Sequence, residues 1–148
     1  MKKNKVLGLL VFFAICAFWT GCRMDDPIVV CGREWNPGLQ IVADTASEFD
    51  MKDPLYIQFR YGTGFDFASL KVTFYEVSES GVKGSEIWNH VANVSDRMSS
   101  YTLQGKTKHS DYMTARALTR HKEPGKVMVE ISTDNRILAS KIITLVRK

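Results

Sequence analysis

Apolar and polar residues alternate with a period of two in several stretches of this chain, and that period is typical of β-strands. The cleanest alternation has its apolar positions at Leu55, Ile57, Phe59 and Tyr61; at Leu70, Val72 and Phe74; and at Val127, Val129 and Ile131. Successive side chains of a strand point to opposite faces, so each set predicts a strand with one face toward a common core.

Less regular segments predict the other elements. Asp134 and Asn135 tolerate the left-handed backbone of a tight turn, so residues 137–146 are predicted to pair antiparallel with the preceding strand. A short helix is predicted within residues 110–121, with Ser110 or Asp111 as its N-cap. The shorter candidate strands are residues 28–30, 41–42, 87–94 and 101–103.

These elements predict one all-β domain over residues 37–148. Roughly seven short strands with polar turns every 8 to 12 residues favour a two-sheet β-sandwich with a short helical crossover. The strand count and the terminal hairpin resemble those of bacterial immunoglobulin-like domains. A small lipocalin-like β-barrel is the alternative, because a closed barrel produces the same alternation.

The N-terminal residues have the layout of an export signal. Lys2, Lys3 and Lys5 precede an uncharged apolar run over residues 6–19, which is shorter than the roughly 20 residues of a membrane-spanning helix. Residues 1–21 are therefore predicted to be a signal peptide. Residues 22–36 lack periodicity and are predicted to be a tether.

The end of this signal has a more specific pattern. Trp19-Thr20-Gly21-Cys22 resembles the lipobox of bacterial lipoproteins, although that family usually has an aliphatic residue where Trp19 stands. The resemblance implies that the Cys22 sulfur carries diacylglycerol and that further acylation, such as with palmitate, anchors the protein in a membrane. It implies a cell-envelope location, which we expect to be the outer membrane; an ordinary secretory signal is the alternative.

The charge balance changes once the signal is removed. The chain has 20 basic and 16 acidic residues. Three of the basic residues lie in the signal, so the mature net charge falls to +1, which argues against nucleic acid as a partner. Residues 106–126 nevertheless carry net +4, whereas residues 25–66 carry net −5.

The basic segment is the candidate partner-binding surface. Its cationic residues are Lys106, Lys108, Arg116, Arg120, Lys122 and Lys126. Such a surface suits an envelope protein or an anionic polymer as partner. The alternative is a solvated loop with no partner.

Catalytic motifs are not found in the sequence. His109 with Asp111, and His121 with Glu123, have a spacing that would suit two metal ligands on one strand, but pairs this short arise often by chance. We therefore expect no enzymatic activity, no cofactor and no metal. The sequence favours a lipid-anchored interaction or assembly module, and the alternative is an envelope lipoprotein that binds a small ligand in a β-barrel cavity.

We also expect structural roles for one cysteine and two tryptophans. Cys31 is the one cysteine left after the signal and the lipidated position are set aside, and we expect it to be a small buried apolar residue. Trp35 and Trp88 are expected to anchor the packing, with each indole N–H donating to a backbone carbonyl.

Overall fold

The computed structural model of the chain describes residues 26–134 and 136–148, so the predicted signal peptide and Cys22 lie outside the described residues. Within that part the chain forms nine strands and one short helix. They are β1 (Ile28–Asn36), β2 (Ile41–Thr45), β3 (Glu48–Asp50), β4 (Tyr56–Arg60), β5 (Ser69–Val77), β6 (Lys83–Asn93), β7 (Ser100–Leu103), α1 (Ala115–Thr119), β8 (Gly125–Thr133) and β9 (Arg136–Val146).

The strands form two sheets. The first sheet has the order β2-β1-β4-β7 and the second has the order β3-β9-β8-β5-β6. Neighbouring strands are antiparallel except for β3 and β9, which are parallel. The prediction of an all-β sandwich is confirmed. The lipocalin-like barrel is wrong, because the two sheets do not close into one.

One core fills the space between the sheets. The apolar residues of the three cleanest alternating stretches are all buried there, with the exception of Tyr61, which is partly buried at its margin. Phe59 from the first sheet and Phe74 from the second are each almost fully buried. Burial of such rings dominates the stability of a domain of this size, since replacing one by Ala typically costs about 3 to 5 kcal/mol.

The N-terminal boundary of the domain differs from the predicted one. The paired part of the chain starts at Ile28, where β1 begins, and β1 lies between β2 and β4. The prediction that residues 22–36 form a tether is therefore wrong from residue 28 onward. Within the apolar run over residues 28–31, Val29 and Cys31 are buried in the core, whereas Ile28 is exposed and Val30 is partly buried.

The helix is shorter than predicted and has another N-cap. Thr114 caps α1, and its hydroxyl accepts a bond of 3.2 Å from the Ala117 amide. Ser110 instead bonds Thr107 and Tyr112 within the preceding loop. No helix in residues 26–134 or 136–148 is long and apolar enough to cross a membrane.

Strand β4 defines two opposite ends of the sandwich. Ile28, two residues after Asp26, pairs with Arg60 at the C-terminal end of β4, and we call this the N-terminal end of the domain. Pro54 precedes β4 and forms a bridge with Thr114, the cap of α1, so we call the opposite end the helix end. Six residues of extended chain separate the two ends by roughly 20 Å.

Cys31 lies on the inner face of β1 and has no exposed surface. The expectation of a buried apolar residue is confirmed. Burial raises the pKa of its thiol to about 12, and the positive charge of Lys141 only partly offsets this effect.

The raised pKa of Cys31 predicts a loss of stability in alkali. Above the thiol's ordinary pKa of 9.0, the unfolded chain releases this proton and the native protein keeps it, so the free energy of unfolding falls as pH rises toward 12. At pH 10 this amounts to about 1 kcal/mol. Urea unfolding at pH 8 and pH 10 should show that a Cys31→Ala variant loses less stability between the two pH values than the wild type. An equal loss in both proteins would contradict the prediction.

Candidate functional site

The structure divides the six cationic residues of the predicted partner-binding surface. Lys106 and Lys108 lie in an exposed loop, where the Lys106 ammonium is 3.8 Å from a carboxylate oxygen of Asp111. Lys126 lies on β8, and its ammonium donates a 2.8 Å bond to the carbonyl of Glu79, whose carboxylate is 3.8 Å away. Lys106 and Lys126 are therefore each paired with an acidic residue.

Arg116, Arg120 and Lys122 come together at the helix end, and we call these three residues the cationic cluster. With His121 they line a hollow of about 340 Å³ on the side of α1. A second hollow of about 300 Å³ is lined by Arg120 and Lys122 and by two acids, Glu76 and Glu123. Among the described residues no carboxylate lies within 4.0 Å of the charged groups of the cluster.

Arg120 has a fixed position in this cluster. It ends α1 with a left-handed backbone at φ 58°, and its guanidinium carbon lies 4.3 Å from the centre of the Trp88 ring. The Trp88 indole donates a 2.9 Å bond to the Leu118 carbonyl and stacks on Phe74 with ring centres 5.2 Å apart, which confirms its predicted role as a packing anchor. A cation held in this way loses little conformational entropy when a partner binds.

The second candidate site lies on the outer face of the first sheet, where the hairpin of β1 and β2 folds back. A side chain at Gly32 would collide with the backbone of Ala43 and with Val42, so glycine is required for this close approach. Gln40 and Asp44, at the two ends of β2, have positive φ angles of 53° and 45°. The hairpin therefore covers part of the sheet that alternation alone would leave open to solvent.

Gln58 joins the hairpin to the sheet. It is on the outer face of β4 but only 1% of its surface is exposed. Its amide nitrogen donates to the Gln40 carbonyl at 2.8 Å and to the Thr102 hydroxyl at 3.3 Å. Its amide oxygen accepts from Arg60 Nε at 2.9 Å and from the Val42 amide at 3.4 Å. All the hydrogen-bonding capacity of the carboxamide is thus used.

A groove of about 550 Å³ remains between the hairpin and the sheet, and we call it the outer-face groove. It is lined by Asp26, Ile28, Gln40, Ile41, Gln58, Arg60, Tyr61, Gly62, Ser99 and Ser100. Arg60 Nε donates a hydrogen bond to the Gln58 amide oxygen. Among the described residues, no carboxylate lies within 4.0 Å of the Arg60 guanidinium. The groove therefore combines a guanidinium, hydroxyls and apolar surface at the N-terminal end of the domain.

The three histidines occupy separate environments. His90 Nε2 is 3.0 Å from the Tyr101 hydroxyl, His121 Nδ1 contacts the Glu123 carbonyl, and His109 lies in the exposed loop. In the part of the chain that the structure describes, no three His, Cys, Asp or Glu residues are grouped as metal ligands would be. The His109–Asp111 pair and the His121–Glu123 pair are thus not brought together into one metal site.

Comparison with known proteins adds no assignment. The chain matches no protein-family model, and no curated protein shows significant similarity to it.

The pattern of apolar and polar residues does not predict the outer-face groove. Gln58 and Arg60 alternate with the core residues Ile57 and Phe59, so the pattern assigned them to a solvated face. The only sequence signal near the groove is Gly32 in the middle of a strand, which often marks a close approach of another backbone segment.

The hydrogen bonds of Gln58 predict the effect of removing them. A Gln58→Leu variant keeps a similar volume but leaves the Gln40 carbonyl and Arg60 Nε without their partner, so it should lose about 1 to 3 kcal/mol of stability. Urea unfolding measures the loss, and hydrogen exchange at the Val42 amide should become faster. Gln104→Leu, at an exposed loop position, is the matched control. Equal stability of the two variants would show that Gln58 does not hold the hairpin.

Proposed function

We propose that this protein is a lipid-anchored lipoprotein of a bacterial outer membrane and acts as a non-enzymatic interaction module. Lipid on Cys22 holds the domain at the membrane, and the cationic cluster docks an anionic envelope protein or polymer. The proposal is supported chiefly by the location of the cluster at the helix end of the sandwich, opposite the end at which β1 begins.

The separation of the two ends favours a partner other than the anchoring membrane. The chain leaves the domain near Asp26, and the cationic cluster lies roughly 20 Å further along the sandwich. The field of a bilayer surface is screened over about 8 to 10 Å at physiological ionic strength. A cluster at that distance acts on charges in the envelope space, such as an acidic protein surface or an anionic polymer.

The mixed signs around the cluster favour a partner with discrete anionic groups. Arg116 and Arg120 line one hollow, whereas Glu76 and Glu123 line the neighbouring one. The Glu123 carboxylate accepts a 3.2 Å hydrogen bond from the Arg147 guanidinium. A guanidinium binds a carboxylate or phosphate through two parallel bonds, which adds geometric specificity. The carboxylates of Glu76 and Glu123 would repel an anionic group that entered the second hollow instead of the first.

Lipidation predicts a clear effect of replacing the acceptor cysteine. A Cys22→Ser variant has no thiol to receive diacylglycerol, so metabolic labelling with a radioactive fatty acid should be lost completely. The protein should then leave the membrane fraction or remain as an unprocessed precursor. A Cys16→Ser variant, with the same change inside the apolar run, should be labelled like the wild type. Full labelling of the Cys22 variant would contradict the anchor.

Charge reversal tests the cationic cluster. In pull-downs from envelope extract, an Arg116→Glu/Arg120→Glu variant should recover the partner roughly tenfold less well, because two attractive charges become repulsive. Binding by the wild type should also weaken as salt is added. A second variant, Arg116→Glu/Lys122→Glu, leaves the stacking of Arg120 on Trp88 intact and should show a similar loss.

The control variant makes the same change in net charge at two residues outside the cationic cluster. Lys71→Glu/Arg97→Glu changes two residues outside the helix end and should recover the partner like the wild type. Thermal unfolding of all variants shows that each is folded. Equal recovery by every variant would mean that the cationic cluster is a solvated surface.

A further inference from the structure

We propose that the outer-face groove binds the zwitterionic headgroup of an aminophospholipid, with the phosphate on Arg60 and the ammonium near Asp26. This inference goes beyond partner docking at the helix end and rests on the proposed anchor at Cys22 for its membrane source. The groove faces away from the core and lies at the end of the domain opposite the cationic cluster.

The Arg60 guanidinium is held in position and is able to bind an anion. Its Nε is fixed by the buried carboxamide of Gln58 at 2.9 Å, and Gln58 is itself held by the hairpin and by Thr102. This leaves the two terminal nitrogens of the guanidinium with no carboxylate within 4.0 Å among the described residues. A guanidinium positioned by a second residue matches the oxygens of a phosphate, and Ser100, directly opposite Arg60 on β7, adds a hydroxyl.

The rest of the lining fits a phosphoryl amine better than a simple anion. Asp26 supplies a carboxylate at the edge of the groove without pairing to Arg60, so the groove presents separated charges of both signs. Ile28 has 46% of its surface exposed and gives an apolar wall for a glycerol backbone and the first methylenes of an acyl chain. The volume of about 550 Å³ lies within the 300 to 1,000 Å³ of ordinary small-molecule sites.

The short segment between Cys22 and Asp26 limits the distance between the groove and the membrane. Asp26 follows Cys22 by four residues, which span at most about 14 Å when fully extended. A lipid on the Cys22 sulfur would therefore keep Asp26, which lines the groove, within about 14 Å of the anchoring residue. Headgroups of the same bilayer are then present at the groove at high effective concentration, whereas a soluble ligand has no such advantage.

The test measures the groove directly. The purified full chain in non-ionic detergent micelles is titrated with glycerophosphoethanolamine while nitrogen-resolved NMR follows the Gln58 side-chain amide and Arg60 Nε. We expect saturable shifts of both signals. An Arg60→Gln variant should bind at least tenfold more weakly, and an Arg97→Gln variant, with the same loss of charge at another exposed position, should bind like the wild type.

Two further arms test the amine and the membrane source. Asp26→Asn, outside every strand, should abolish the preference for glycerophosphoethanolamine over glycerophosphoglycerol. In lipid nanodiscs that contain phosphatidylethanolamine, the Gln58 signal should already have its ligand-bound position without added soluble ligand. In nanodiscs made only from phosphatidylglycerol, which offers the phosphate to Arg60 but has no ammonium for Asp26, the signal should move only part of the way to that position.

The outcomes separate this proposal from the proposed function. Absence of saturable shifts, or equal binding by Arg60→Gln and wild type, overturns the groove as a site. Binding of the soluble ligand without occupancy in the nanodiscs overturns the membrane source. Because the micelle titration requires neither lipid on Cys22 nor the cationic cluster, Arg116→Glu/Arg120→Glu should leave it unchanged, and loss of labelling or docking elsewhere does not affect it.

Discussion

Burial of Ile57 and Phe59 between the two sheets is the constraint on which the rest of the structure depends. A strand has a side-chain period of two, so burying these two residues necessarily turns Gln58 and Arg60 to the outer face. The same strand lies between β1 and β7, which makes it central in its sheet. One packing choice in the core therefore determines both the fold around β4 and the polar residues that face the groove.

The outer face of the first sheet shows how a polar residue becomes buried without joining the core. Gln58 would be a solvated residue on an open sheet, but the folded-back hairpin covers it and supplies the carbonyl and amide that its carboxamide needs. Gly32 makes this approach sterically feasible. The second sheet has a similar buried polar residue on its outer face. Glu130 is only 7% exposed there, and its carboxylate accepts a 2.6 Å hydrogen bond from the Lys83 ammonium.

Charges of both signs are present at each end of the domain. The cationic cluster lies at the helix end, and the carboxylate of Asp26 lies with Arg60 at the N-terminal end. In the proposed function these two ends have different tasks, since the first docks a partner in the envelope space and the second meets the membrane. A chain that is nearly neutral over residues 22–148 can act in this way because local fields, and not the net charge, guide an encounter.

The sequence by itself determined the all-β class, the core positions of β4, β5 and β8, and the antiparallel terminal hairpin, because these follow from local alternation and turn chemistry. It also located the basic segment, of which Arg116, Arg120 and Lys122 are brought together. It did not determine the start of the domain at Ile28, the Thr114 cap or the outer-face groove. Those features depend on contacts between residues far apart in the chain, such as Gln58 with Gln40 and Pro54 with Thr114. A period of two shows which face a side chain occupies, and only the tertiary structure decides what covers that face.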